Sequence, residues 1–120
     1  MKVESARPRR VGQFLYAEIR TSNGITGYGE SGAWGHLEAS EAALRKYCDY
    51  IVGKDPRRIE HHWQMMHRFA HFNGTAIGGA ISAIDIALWD IKAKFYGVPL
   101  YELLGGAVRA KLRVYAHVYG

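Results

Sequence analysis

The side chains of this 120-residue chain that could hold a metal or move a proton are six histidines and eleven carboxylates. His61, His62, His67 and His71 are the densest group. His67 and His71 stand four apart, the spacing that two metal ligands on one helix face require. No HExxH pattern, cysteine pair or carboxylate completes a shell around them. A solvated, histidine-rich helix face is the expectation, and no metal ligand is assigned. Asp85 lies inside an apolar run, between Ile84 and Ile86. A carboxylate there needs donors, because unpaired burial is costly. It is either a catalytic or metal-binding acid, or a group accepting bonds from backbone N–H groups or an arginine. The second reading is the expectation, and it predicts a loss of about 1–3 kcal/mol for Asp85→Ala. No catalytic residue is assigned.

Two further places carry ligand-type side chains. Residues 29–36 (GESGAWGH) are glycine-rich and read as a loop. Trp34 and His36 are the members of that loop best able to touch a ligand. The alternative is that Trp34 packs on an interface and His36 starts the next helix, and both readings stay open. His117 lies close to the end of the chain in an alternating run. No GxxxxGK[ST] follows Gly74, which excludes a P-loop.

The elements that must position these groups follow from periodicity. Residues 1–10 (MKVESARPRR) show no assignable element, and Arg7-Pro8-Arg9-Arg10 reads as an irregular lead-in, since proline cannot donate to a central ladder. Residues 11–20 alternate as a strand, with Val11, Gln13, Leu15, Ala17 and Ile19 on one face and Phe14, Tyr16, Glu18 and Arg20 on the other. Ser22-Asn23-Gly24 is a hairpin turn, and residues 25–30 return as the partner strand. A helix is expected over 37–52, with Gly53 as its stop. Asp55 as N-cap and Pro56 as first residue open a second helix, whose inward face is Ile59, Trp63, Met66 and Ala70. The central element is the helix that follows Gly78-Gly79. Ile81, Ile84, Leu88, Ile91 and Phe95 recur every three or four residues along it. Ala80, Ala83, Ala87 and Ala93 beside that stripe allow neighbours to approach closely. Asp90 and Lys94 form a solvent-side pair worth a few tenths of a kcal/mol. Gly97 ends this helix, Pro99 opens a short one, and Gly105-Gly106 close that. After a basic connector, residues 112–118 alternate as a strand with two unlike faces.

Composition narrows the class. With 48% hydrophobic and 22% charged residues the chain is globular in type, not disordered. No apolar run approaches the roughly 20 residues of a membrane span, and the first ten residues show no secretory leader pattern. One cysteine, Cys48, excludes an internal disulfide and fits a reducing compartment, the cytoplasm. The net charge of +5 is crowded towards Lys2, Arg7, Arg9 and Arg10, without aromatic and basic residues interleaved, so nucleic acid is not an expected partner.

The run from Ser82 to Lys92 (SAIDIALWDIK), with Gly97-Val98-Pro99-Leu100 and Leu103-Leu104-Gly105-Gly106, closely resembles the N-terminal capping domain of the enolase superfamily. Within that superfamily it resembles the mandelate racemase and muconate lactonising enzyme branch. Gly53-Lys54-Asp55-Pro56 through Ile59-Glu60 and Trp63 adds to the likeness, which extends over residues 11–120. The resemblance implies an α+β fold: an antiparallel β-meander, then a helical bundle, then the first strand of a (β/α)₈ barrel. Residues 1–109 would be the cap and 110–120 the start of the barrel, the remainder being absent. It also implies a further strand before residue 11.

Enzymes of this kind abstract a proton α to a carboxylate while Mg²⁺ stabilises the enediolate. By resemblance the metal ligands and bases lie on later barrel strands, so this chain alone is expected to be inactive. The helical region and the ending Val114-Tyr115-Ala116-His117 look most like the sugar-acid dehydratases of galactonate and mannonate type. Mannonate-type members carry a substrate-contacting histidine at the place matched by His117, and the loop holding Trp34 and His36 would lean over the barrel mouth. Trp34, His36 and His117 are therefore the expected substrate-binding residues, and a structural role for His117 stays open. The expected partners are the chain's own barrel, a sugar acid and, at full length, further copies in a homo-oligomer. Racemases and cycloisomerases share the cap. A stand-alone α+β interaction module is the reading from another class, and it would leave residues 112–118 as an unpaired apolar strand.

Overall fold

The structure, a computed structural model, describes residues 1–117. Its elements run β1 (Val3–Val11), β2 (Phe14–Thr21), β3 (Thr26–Ser31), α1 (Leu37–Ile51), α2 (Ile59–Phe69), α3 (Thr75–Tyr96) and α4 (Leu100–Leu103). The three strands form an antiparallel sheet in the order β1-β2-β3. The α+β meander followed by helices is the architecture that the resemblance implied.

Residues 3–11 are a strand, so Arg7-Pro8-Arg9-Arg10 is part of a ladder and not an irregular lead-in. Pro8 pairs opposite Ala17 on the edge strand, where a missing N–H can face away from the ladder. Polarity hid this strand, because Val3 is its one fully buried residue. Its outer face is held by Arg7 and Arg9, which both reach Glu18 of β2, Arg9 Nε at 3.1 Å. Its start is tied to the loop after α1: Val3 N–H donates to Lys54 O and Gly53 N–H to Val3 O, both at 2.9 Å. The chain reverses at Gly12-Gln13, since Val11 pairs with Phe14 and Gly12 has φ 57°. A two-residue hairpin with glycine first needs that angle. Residues 11–13 thus belong to an earlier strand and a turn.

Leu15, Ala17 and Ile19 are fully buried, as the alternation predicts. The 22–24 turn is a three-residue loop. Thr21 N–H donates to Ile25 O at 2.9 Å, and Gly24 alone takes a positive φ, 85°.

β3 lies across α3 at unusually short range. A Cβ on Gly27 would stand 2.3 Å from Ala87 O, and one on Gly29 would stand 2.1 Å from Ala83 O. Only glycine on the strand, facing alanine on the helix, lets the two backbones meet. The pair Asp90–Lys94 (2.7 Å) belongs to this seam as well. Asp90 accepts the Tyr28 backbone N–H at 3.0 Å, and Lys94 donates to Thr26 O at 2.8 Å. It links two elements, where the spacing alone suggested a solvent-side pair.

α3 starts at Thr75, so Gly78 and Gly79 lie inside its first turns. Gly79 is needed there: a Cβ would meet Ser31 Oγ at 2.6 Å and the Ala33 Cβ at 3.0 Å. Ile81, Ile84, Leu88 and Ile91 are buried as expected, whereas Phe95 is partly exposed at the helix end. Gly97 closes α3 in the left-handed conformation with φ 67°. Pro99 caps α4 from outside, and Gly105 and Gly106 follow that helix with φ 107° and 92°.

α2 begins at Ile59, three residues later than the Asp55-Pro56 signal predicts. The Asp55 side chain accepts the Arg57 backbone N–H at 3.0 Å, and Arg58 N–H bonds Asp55 O at 3.3 Å. The Asp-Pro signal therefore builds a turn before the helix. The inward face of α2 is Ile59, His62 and Met66; Trp63 is 40% exposed. His62 is thus a correction to the solvated histidine face. It is buried, with Nε2 2.9 Å from Asp55 O and Nδ1 3.0 Å from the Tyr50 hydroxyl. Cys48 is buried and free, and burial pushes its thiol up to about 12.

Residues 107–117 form no regular element, and Leu112 and Val114 are exposed. The strand expected at 112–118 is not formed among the described residues, where no neighbouring strand completes its ladder. Val118, Tyr119 and Gly120 lie outside the described residues. Among those described, no helix is long and apolar enough to cross a membrane.

Candidate functional site

The loop carrying Trp34 is anchored from three sides. Ser31 and Ser40 hydroxyls bond each other at 2.7 Å in the interior, joining the end of β3 to α1. Gly79 of α3 packs against the same Ser31, and Ala33 is fully buried. From that anchor the chain makes a turn: His36 N–H donates to Ala33 O at 3.2 Å, and Gly35 takes φ 81°. A tight turn with glycine at its third position throws the second residue outward. That residue is Trp34, which remains 67% exposed and meets Phe14 edge-on, with ring centroids 6.3 Å apart.

Trp34 forms one wall of an open cleft of about 380 Å³, with Arg10 and Gln13 of the β1–β2 hairpin and Glu38 of α1 on the others. Arg10 Nη2 bonds Glu38 Oε1 at 2.7 Å across the cleft. That bond holds the Glu38 carboxyl below the usual carboxylate range; its own backbone adds to the effect. The Arg10–Glu38 ion pair, an indole and an amide thus line one hollow, and the guanidinium, indole and amide are donor types suited to hydroxyl and carboxylate oxygens.

His36 precedes α1 as its N-terminal boundary residue and makes no side-chain cap bond. It is exposed, beside the cleft in sequence but not among its lining residues. His117 lies in the exposed segment after α4, its ring 5.1 Å from that of Tyr115, and it too is outside the cleft lining. Of the three expected contacts, the structure places one in the cleft. Arg10 and Gln13 were missed. Their signal was Gly12 between them, a turn glycine in a segment read as strand and lead-in.

Asp85 does not behave as expected. It is half-buried on α3 and has no hydrogen-bond or ion-pair partner among the described residues. Burial pushes its carboxyl up, and Glu60 adds to the effect. None of the donors expected from the sequence bonds it among the described residues.

Residues 5–105 match the family described as Mandelate racemase / muconate lactonizing enzyme, N-terminal domain. The chain is 48% identical over 109 residues to the D-galactonate dehydratase of Xanthomonas campestris pv. campestris (strain B100), a match covering 90% of the chain and 28% of that enzyme. It is 46% identical over 109 residues to the D-galactonate dehydratase of Ralstonia pickettii (strain 12J), with the same coverage. The chain thus spans less than a third of the length of these curated relatives. Among solved structures it resembles an enolase superfamily member from Salmonella Typhimurium, with a TM-score of 0.86, 39% identity, and 96% of this chain and 31% of that one covered. An enolase from Pantoea ananatis with bound D-gluconate and Mg superposes with a TM-score of 0.84 at 33% identity, covering 90% of this chain and 28% of that one. Fold, family match and relatives agree: the chain belongs to the mandelate racemase / muconate lactonizing enzyme family of the enolase superfamily and carries its N-terminal domain.

Proposed function

We propose that this chain is the capping and substrate-specificity domain of a Mg²⁺-dependent dehydratase acting on a sugar acid of galactonate or mannonate type. The observation that carries the reading is the 48% identity to a D-galactonate dehydratase along 90% of the chain. The Pantoea structure with D-gluconate and Mg supports the same substrate class. In this reading residues 1–109 are the cap and 110–120 open the barrel, where the exposed alternating segment would find its neighbours. The complete enzyme would be a cytoplasmic homo-oligomer, a setting that the lone, buried Cys48 supports.

The cap's part is recognition. Among the described residues no group of three or more His, Cys, Asp or Glu side chains could hold a metal ion. The metal therefore does not fit the cap's own residues, and no chemical step is assigned to them. Trp34 and Arg10 would bond substrate oxygens and exclude water, with His36 and His117 brought in from the loop end and the strand end. The chain alone would turn nothing over.

Alanine at Trp34, His36 and His117 in the complete enzyme tests this assignment. Each lost bond to a neutral group should lower kcat/KM by about 0.5–1.5 kcal/mol, and one to a charged group by about 1.5–3. Mg²⁺ affinity should not move. Unchanged kinetics in all three variants would reduce these residues to packing.

A further inference from the structure

Asp85 and its surroundings are left unused by the cap's proposed role. The carboxylate opens on a hollow of about 260 Å³ between α2 and α3, lined also by Trp63, His67, Asn73 and Ser82. We propose that this hollow is a socket for one guanidinium group, delivered by an arginine side chain of a polypeptide packed on this face.

Four observations converge on a cation. The Asp85 carboxylate is half-buried and meets no donor among the described residues. A charge so placed lacks part of its hydration without a partner in exchange, and an incoming N–H donor restores it. Trp63 and His67, one helical turn apart on α2, stack with their planes 9° apart and centroids 4.8 Å apart. The indole is partly exposed at the hollow, and an aromatic face beside a carboxylate is a favoured environment for a planar cation. Asn73 and Ser82 line the same hollow and are residue types with neutral acceptors for the remaining N–H groups of a five-donor fork. Glu60 lies close enough to raise the Asp85 carboxyl, so this patch is locally negative on a chain of net charge +5. A guanidinium matches the carboxylate and the ring together. A sugar acid, being an anion, does not, and this separates the socket from the Trp34 cleft.

The test is a titration of the 120-residue chain with N-acetyl-L-argininamide, followed by NMR at the Trp63 indole N–H. The neutral, near-isosteric N-acetyl-L-citrullinamide and free L-arginine run in parallel. The blocked arginine should give a saturable shift in the millimolar range expected of one side chain, and the citrulline compound none. Asp85→Asn should weaken the interaction about tenfold or more, as loss of a charge-assisted pair implies. Trp63→Leu should weaken it about threefold. Equal shifts from citrulline, or equal affinity in Asp85→Asn, overturn the proposal. A tenfold preference for free arginine overturns the polypeptide as its source. Should Asp85→Asn fail to fold, the comparison of arginine with citrulline on the unaltered chain decides.

Discussion

At the residue scale the instructive side chains are His62 and Asp85, because both are buried or half-buried titratable groups whose surroundings were misread. Asp55 O can only accept, so His62 Nε2 carries the proton and Nδ1 accepts from the Tyr50 hydroxyl. Burial pushes the imidazole down; the bond to Asp55 O opposes this, and His61, Arg58 and Lys54 add to it. The unfolded chain takes up this proton near the ordinary histidine value, while the native state resists it to lower pH. His62 therefore destabilises the fold as pH falls below its unfolded value, down to the depressed native one. Urea midpoints measured from pH 7.5 to 5 should fall, and fall less in His62→Gln; parallel slopes would contradict this. For Asp85 the sign is opposite. Its native carboxyl is raised, so its stabilising share is complete below the unfolded value and is lost as pH rises through the native one. With no donor to orphan, Asp85→Asn should leave stability at pH 7 unchanged within about 0.5 kcal/mol or raise it. The sequence predicts a loss of about 1–3 kcal/mol for Asp85→Ala, and a loss of that size in Asp85→Asn would mean that donors do reach it. Neither surrounding was legible. Ile59, His62 and Met66 form a helical stripe, but polarity favoured Trp63 for the inward place, and nothing along the chain shows whether a carboxylate has found a donor.

At the element scale, the seam between β3 and α3 is the most constrained contact in the molecule. The alanines of α3 signalled close approach in the sequence, yet of their partners Gly27 read only as a strand glycine and Gly29 as the junction of strand and loop. Gly29→Ala would put a methyl group 2.1 Å from Ala83 O and 2.7 Å from Ala87 N, both backbone atoms that cannot rotate away. Overpacking of this kind costs about 1–3 kcal/mol or more, whereas Gly32→Ala, with nothing within 4 Å, should fold normally. Thermal melts of the two variants separate these outcomes, and equal melting temperatures would contradict the close approach. The hydrophobic pattern alone located α1, α3 and the β2–β3 hairpin. It failed where an element carries few apolar residues. β1 buries only Val3, and its arginines and Pro8 speak for edge solvation as readily as for coil. The start of α2 was misplaced because Asp-Pro serves equally to cap a helix and to build the turn before it.

At the scale of the whole molecule, the sheet, the anchored loop and α1 present one cleft with Trp34 and Arg10 at its walls. The family was legible because the sequence of α3 and its glycine-bounded end forms an ordered motif. The complete site was not, because residues from separate segments must converge on it, and His117 sits in a segment that has no partner strand among the described residues. The central claim is that this domain serves a sugar-acid dehydratase. Its most direct test is turnover by the complete enzyme with Mg²⁺ on a panel of acid sugars, read as loss of water by product analysis. The account predicts dehydration of an aldonic acid such as D-galactonate, weakened in Trp34→Ala, and no turnover by the 120-residue chain. Racemisation or cycloisomerisation in place of dehydration, or turnover by the 120-residue chain itself, would contradict it.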